Sequence, residues 1–346
     1  MPEENYIITS SCGKPVEDTL PRKKSNALFK ELEKTYGIKH DDPEPRNITY
    51  NPTTGKFCII DFELAKILKR PKAVSAKAKA LRIQWASKSQ QGRRHQTNQD
   101  SSICWRASSR GFINNASRGE AILPCHKALF AVSDGVGGNN GGEFASRVAL
   151  SSMTHFIEKE YLSKEITPED YKNLLFKTNE NVNSKAALNP SASRLSATFA
   201  GVIVQENKIM WANVGDSRVY RLRKKTLKQL SNDHNFAFRQ MKNGEMSEME
   251  YRLHPRRNQL FDCIGAGFSN INPEYDTKKW KVGDIYLICS DGIIDGLTDN
   301  RIESVMTETK GNIDRSRVRA ICNELLKQAL LNDGSDDTTL VVFQIY

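Results

Sequence analysis

Two apolar runs in this chain end in the same way. Ala128-Leu129-Phe130-Ala131-Val132 leads into Ser133-Asp134-Gly135, and Ile285-Tyr286-Leu287-Ile288-Cys289 leads into Ser290-Asp291-Gly292. Short continuous apolar runs bounded by a turn signal read as buried strands. Around them, LRIQWAS (81–87) alternates apolar and polar residues like a first strand. ATFAGVIV and KIMWANVG flank the polar turn Gln205-Glu206-Asn207 as an antiparallel pair, and SRVYRLR with TLKQLS forms a second hairpin. A different period appears between these strands. Phe144, Val148, Met153, Phe156, Ile157 and Tyr161 fall largely on one helical face, as do Tyr171, Leu174, Leu175 and Val182. Val318, Ile321, Cys322, Leu325, Leu326 and Leu330 predict a last helix, before the closing strand TLVVFQIY.

Antiparallel strands with amphipathic helices grouped between them predict an α+β fold of layered sheets covered by helices. Residues 235–280 are polar and without a clear period, so they read as a long irregular insert, a functional flap beside a site. Residues 70–80, RPKAVSAKAKA, are small, basic and weakly patterned, as a linker would be. The chain therefore divides on pattern into an N-terminal extension (1–80) and a main domain (81–346).

Chemistry concentrates in four acidic signatures: TNQD ending at Asp100, VSDGVGG around Asp134, CSDGIID around Asp291 and GSDDTT around Asp337. A carboxylate placed directly after a buried strand is costly to desolvate unless it meets a cation or several donors. One strand ending in an aspartate-glycine turn is ordinary; four such acidic segments point to a shared ligand. The glycine after Asp134 and after Asp291 would let a backbone oxygen approach that ligand. Oxygen donors suit magnesium, manganese or calcium, and the histidine and cysteine spacings that zinc would want are missing.

Composition narrows the picture only a little. At 346 residues, with 38% hydrophobic and 27% charged residues, the chain is ordinary for a globular protein. It has no apolar stretch long enough to span a bilayer and no secretory signal at its start, so the cytoplasm is the expected compartment and no membrane partner is expected. The seven cysteines contain no CxxC pair and read as reduced, mostly buried thiols. A net charge of +10 is compatible with nucleic acid, but the basic residues are dispersed and no aromatic ladder alternates with them, so nucleic acid is not an expected partner.

With these residues in place, residues 81–346 resemble the metal-dependent protein phosphatase 2C family in its bacterial form. The motifs run in the family's order: RRHQTNQD, AVSDGVGG, SATFAGVIV, ANVGDSRVY, LSNDH, LICSDGIIDGLTD and GSDDTTLVV. The resemblance implies a four-layer α-β-β-α sandwich of two antiparallel sheets flanked by helices, with metals held between the sheets at one edge. It implies that Asp134 bridges two ions, that the Gly135 carbonyl binds the second, and that Asp291 and Asp337 complete the first. Asp100 would support the second ion through water, and Asp216 and Asp295 match positions that help hold a third ion. The implied cofactors are two Mg2+ or Mn2+ ions, with room for a third. The implied reaction is hydrolysis of phosphoserine and phosphothreonine in proteins by attack of a metal-bridging hydroxide. Phosphorylated proteins, together with a cognate serine/threonine kinase, would be the partners.

Three positions depart from the family pattern. His95 stands where members commonly carry a phosphate-gripping arginine; Arg93 and Arg94 precede it, and Arg94 or His95 is the expected substitute. Gln99 replaces a glutamate, which weakens the second ion's surroundings. Val136 takes the place of a histidine that serves as general acid in eukaryotic members, so the leaving group's proton would come from water. These departures motivate an alternative, a phosphoprotein-binding regulator with the fold and little turnover.

Residues 25–66 carry a shorter resemblance, to the catalytic loop of a protein kinase: HDDPEPRN in place of H-x-D-x-x-x-x-N, then IIDFELA in place of the D-F-G segment. His40, Asp42, Asn47 and Asp61 fall at matching positions, and Glu63 stands where glycine would be. The glycine-rich lid, the strand lysine and everything beyond the D-F-G segment are missing. A reused fragment, or an ordinary helix and hairpin turning at Pro52-Thr53-Thr54-Gly55, are the readings left open.

Overall fold

The computed structural model describes residues 81–346 except 109–110, 114–116, 123–125, 137–140, 163, 189–194 and 310–315, and, before them, residues 14–15, 26–30, 33, 38–40, 48–51, 56–59 and 65–67. The chain divides into two compact units, Met1–Lys79 and Ala80–Tyr346.

In the larger unit the alternating and apolar runs become two six-stranded antiparallel sheets. One is ordered β13 (Glu274–Lys279), β9 (Lys208–Val214), β8 (Phe199–Gln205), β5 (His126–Ser133), β2 (Ser101–Ser108), β3 (Gly111–Ile113). The other is ordered β11 (Thr226–Gln229), β10 (Arg218–Arg223), β14 (Ile285–Cys289), β15 (Thr338–Ile345), β1 (Arg82–Gln90), β4 (Arg118–Ile122). Both aspartate-terminated runs sit centrally, β5 between β2 and β8, and β14 between β10 and β15. Central strands are covered on both faces, which is why these two read as unbroken apolar runs.

The sheets pack face to face through large side chains. Phe343 stacks on Phe130 at 4.6 Å and on Tyr286 at 4.7 Å, and Trp85 leans on Phe130 at 5.6 Å. On the outer face of the first sheet lie α1 (Gly141–Tyr161) and α2 (Pro168–Ala187), which bury Met153, Ile157, Tyr171 and Leu175 against Leu129, Phe199 and Ile203. On the outer face of the second lie α5 (Asp291–Gly296), α6 (Asp299–Glu308) and α7 (Ser316–Asn332), whose Ile293, Ile302, Ile321 and Leu325 meet Leu287, Leu340 and Val342. The four-layer α-β-β-α sandwich is therefore formed.

The 235–280 insert is more ordered than its pattern suggested. It holds α3 (Phe236–Lys242), capped by the Asn235 side chain, and α4 (Glu248–Leu253), opened by a reciprocal Ser247/Glu250 capping box. It continues through β12 (Ile264–Gly265), which joins β6 (Gly135–Val136) and β7 (Ser196–Ala197) in a small sheet, and ends in β13. These helices are too short to show a hydrophobic period, and packing holds them. Arg218 donates to both oxygens of Asp233, at 2.8 and 2.7 Å, and its guanidinium lies over Phe238 of α3 at 5.4 Å.

In the smaller unit, strands Ile48–Asn51 and Lys56–Ile59 pair antiparallel, and the expected turn at Pro52-Thr53-Thr54-Gly55 lies outside the described residues. Strand Ile38–His40 pairs with Ala65–Ile67. Of the kinase-like positions His40 lies in that strand, and Asp42, Asn47, Asp61 and Glu63 lie outside the described residues.

Candidate metal centre

Both central strands release their aspartates at the same edge of the sandwich. Asp134 follows β5, and Asp291 opens α5 directly after β14, where the helix N-terminus favours a negative side chain. Close backbone packing makes this convergence possible. A Cβ at Gly135 would sit 2.1 Å from the Gly142 carbonyl oxygen, and one at Gly292 would sit 2.2 Å from the Asp337 carbonyl oxygen. The glycine that follows each aspartate thus lets its segment abut another, a role the ligand argument from sequence did not include.

Asp134 and Asp291 lie near enough for each to act on the other's carboxyl. Burial, then the neighbouring charges of Asp100, Asp216 and Asp336, push the Asp134 carboxyl well above the usual carboxylate range. Burial, then Asp134, Asp216, Asp295 and Asp336, does the same to Asp291. Asp100 is held up at about 7, chiefly by burial, although the Ser290 hydroxyl donates to its Oδ2 at 2.7 Å. Asp216, in the turn after β9, is also raised to about 7, by burial and then by Asp233. Asp100 Oδ1 and Asp291 Oδ1 are buried and have no hydrogen-bond partner among the described residues. Buried carboxylates in mutual repulsion, with orphaned oxygens, are a donor set that lacks its counter-charge, and hard divalent cations fit it.

Asp336 and Asp337 divide the fourth signature between them. Asp337 is nearly closed off, with its side chain 2% exposed. Its Oδ1 accepts from the Gly92 amide at 2.7 Å, and its Oδ2 accepts from the Gln99 amide at 2.7 Å and lies 2.9 Å from His95 Nδ1. Both oxygens are spent on tying the first motif to the last. The Asp336 charge acts on Asp100, Asp134 and Asp291, and the Asp337 charge acts on Asp100. One ligand-type atom each from His95, Asp336 and Asp337 also lie within 4.8 Å of one another, a cluster able to hold a metal ion.

The remaining expected residues are placed as follows. Asp295 lies one helical turn beyond Asp291, and Arg257 donates to both of its oxygens. Gln99 is buried; its carbonyl accepts from the Gly135 amide at 3.2 Å and from the Ser146 hydroxyl at 2.7 Å, so it positions the loop through its backbone. Arg93 donates to the Asp333 carbonyl at 2.9 Å. Arg94 is exposed at the rim, and its guanidinium has no hydrogen-bond partner among the described residues. Val136 is 38% exposed beside Asp134. Sequence reasoning passed over Asp336 and Arg257. Asp336 was visible as the other half of a DD pair, whereas Arg257 carried no local signal.

The model of the family described as protein phosphatase 2C matches residues 121–330. The chain belongs to that family. Serine/threonine phosphatase stp of Listeria monocytogenes is 24% identical over 223 residues, which cover 63% of this chain and 85% of its own. Serine/threonine protein phosphatase PstP of Mycobacterium tuberculosis is 25% identical over 217 residues, 63% of this chain and 40% of PstP. The crystal structure of PstP superposes with a TM-score of 0.62 at 23% identity, over 76% of this chain and 98% of that one. Stp1 from Staphylococcus aureus gives 0.64 at 23% identity, over 76% and 94%. The catalytic domain of PstP, whose structure is described in complex with two manganese ions, gives 0.61 at 22% identity, over 77% and 99%. At these identities the structures establish the shared sandwich. Asp100, Asp336 and Asp337 lie outside the residues that the family model matches.

Proposed function

We propose that this protein phosphatase 2C member is a magnesium- or manganese-dependent hydrolase of phosphoserine and phosphothreonine in proteins, with two ions held by Asp134, Asp291 and Asp336, the Gly135 carbonyl and, through water, Asp100. The observation that carries this reading is the buried carboxylate cluster with two orphaned oxygens at the edge of the family's sandwich. When bound, such cations lower the pKa of a coordinated water and neutralise charge on a phosphoryl group. The chain's own residues do the rest. Ser290 orients Asp100, Asp337 fixes the Gly92 and Gln99 amides and so the first-motif loop, and Arg94 offers charged donors at the rim for phosphoryl oxygens. Every described cysteine that is resolved as free, Cys104, Cys263, Cys289 and Cys322, is buried, so none is offered as a nucleophile.

Hydrolysis of an aryl phosphate and of a phosphothreonine peptide, with Mn2+ and with chelator, tests this reading. Activity that needs the metal and falls at least a hundredfold in Asp134→Asn supports it; activity that survives chelation defeats it. The Gln99 and Val136 departures favour a second reading, a phosphoprotein-binding regulator. Phosphopeptide binding without turnover in saturating Mn2+ would select that one. No described helix is long and apolar enough to cross a membrane. A cytoplasmic site of action beside a cognate serine/threonine kinase, with residues 1–80 as an accessory element built from a reused kinase fragment, completes the proposal.

A further inference from the structure

The outer end of the carboxylate cluster carries its own fixed cation. The Asp295 side chain is 4% exposed, and both of its oxygens are engaged, Oδ1 by Arg257 Nη1 at 2.5 Å and Oδ2 by Arg257 Nη2 at 2.7 Å. Two parallel bonds of this kind are the strongest pairing a guanidinium makes with a carboxylate. Arg257 comes from the insert, in the turn after α4, where its amide donates to the His254 carbonyl at 3.1 Å. That turn is itself anchored. Arg252, in the last turn of α4, donates to the carbonyls of Ile294 at 2.7 Å and Leu297 at 2.8 Å, which end α5. Two arginines five residues apart therefore hold the short helix that begins with Asp291, one at its C-terminal carbonyls and one at its second carboxylate.

We propose that Arg257 occupies at Asp295 the place where a third divalent ion would bind, so that this enzyme carries ions at its inner carboxylates only. The proposal rests on the phosphatase reading for the inner ions and adds the outer position. Magnesium and manganese bound through one or two carboxylates keep much of their water shell and bind weakly. To take Asp295, such an ion must displace two hydrogen bonds of a largely buried pair and strand a guanidinium that is itself only 24% exposed. The fixed charge also ties the insert to the helix bearing Asp291, which a dissociable ion would not do.

Counting sites by titrating Mn2+ into the chelator-stripped full chain, with calorimetry or electron paramagnetic resonance of free Mn2+, tests this. The wild type should saturate at the inner sites and show no further site up to about ten millimolar. Asp295→Asn in the wild type should leave that count unchanged. Arg257→Ala should gain one site at least tenfold tighter than any extra binding by the wild type, and Asp295→Asn in the Arg257→Ala background should abolish it. A site lost from the wild type on Asp295→Asn overturns the proposal, as does a third wild-type site equal to that of Arg257→Ala. If Arg257→Ala fails to fold, the Asp295→Asn count decides alone. Inner-site binding and its loss in Asp134→Asn report separately on the phosphatase reading.

Discussion

Asparagine at position 336 and asparagine at position 337 should damage this protein in opposite ways. Asp337 accepts two backbone amides at 2.7 Å each and lies 2.9 Å from His95 Nδ1, with no room for solvent. In Asp337→Asn the new NH2 group must face one of these donors, so one charge-assisted bond is lost and its donor stranded. With such bonds worth about 1.5–3 kcal/mol, the metal-free protein should lose about 2–4 kcal/mol. For a unit of this size that lowers the melting temperature by roughly 5–15 °C. Asp336 accepts the Asp337 amide at 2.8 Å, which an asparagine oxygen still accepts, and lies 3.5 Å from His95 Nδ1, but burial and its repulsion of Asp100, Asp134 and Asp291 outweigh that pairing. Asp336→Asn should therefore melt at or above the wild-type temperature in chelator. It should also weaken Mn2+ binding at least a hundredfold, erasing about 2.7 kcal/mol or more of the stabilisation that Mn2+ confers, and cut hydrolysis to match. Thermal melts with and without Mn2+, alongside aryl phosphate hydrolysis, read both variants. An Asp337→Asn protein with wild-type metal-free stability but no Mn2+ binding, beside an Asp336→Asn protein with full activity, would return the ligand role to Asp337.

Three further outcomes follow from the same geometry. Asp100 and Asp216 are held up at about 7, above an ordinary carboxylate value of 3.8, so the stability they contribute is fully present below about pH 4 and is lost as pH rises toward 7 and beyond. The metal-free protein should be less stable at pH 8 than at pH 5.5, by at most about 2 kcal/mol per carboxylate, and Mn2+ should shrink that difference; a flat metal-free profile would contradict the cluster. Gly292→Ala places a methyl group 2.2 Å from the Asp337 carbonyl oxygen and should cost several-fold in Mn2+ affinity and more than about 2 kcal/mol in stability, as denaturant melts would show. Asp233→Ala leaves buried Arg218 with only Asp299, 3.5 Å from its Nη1, and should destabilise by about 3 kcal/mol; a loss below about 1 kcal/mol would show that the pair is not what anchors the insert.

Much of this architecture can be read along the chain because burial leaves a local trace. The runs before Asp134 and Asp291 are apolar at every position because β5 and β14 are covered on both faces, and the faces of α1, α2 and α7 repeat at helical spacing because each lies on a sheet. The chain's residue order also showed that acidic turns follow those strands, which was enough to predict a carboxylate centre. The Ser247/Glu250 capping box is equally local, a sequence signal of order inside the insert.

Tertiary structure decided what depends on partners distant in the chain. The amides of Gly92 and Gln99, more than 230 residues earlier, capture both oxygens of Asp337, whereas Asp336 meets only the Asp337 amide and His95. Asp295 shares a helix with Asp291, yet its charge is answered by Arg257 from the insert, a pairing that no spacing rule contains. Periodicity records which side of an element is dry, since burial acts on every turn of it. A carboxylate's partner is one contact, formed only once the chain has closed on itself.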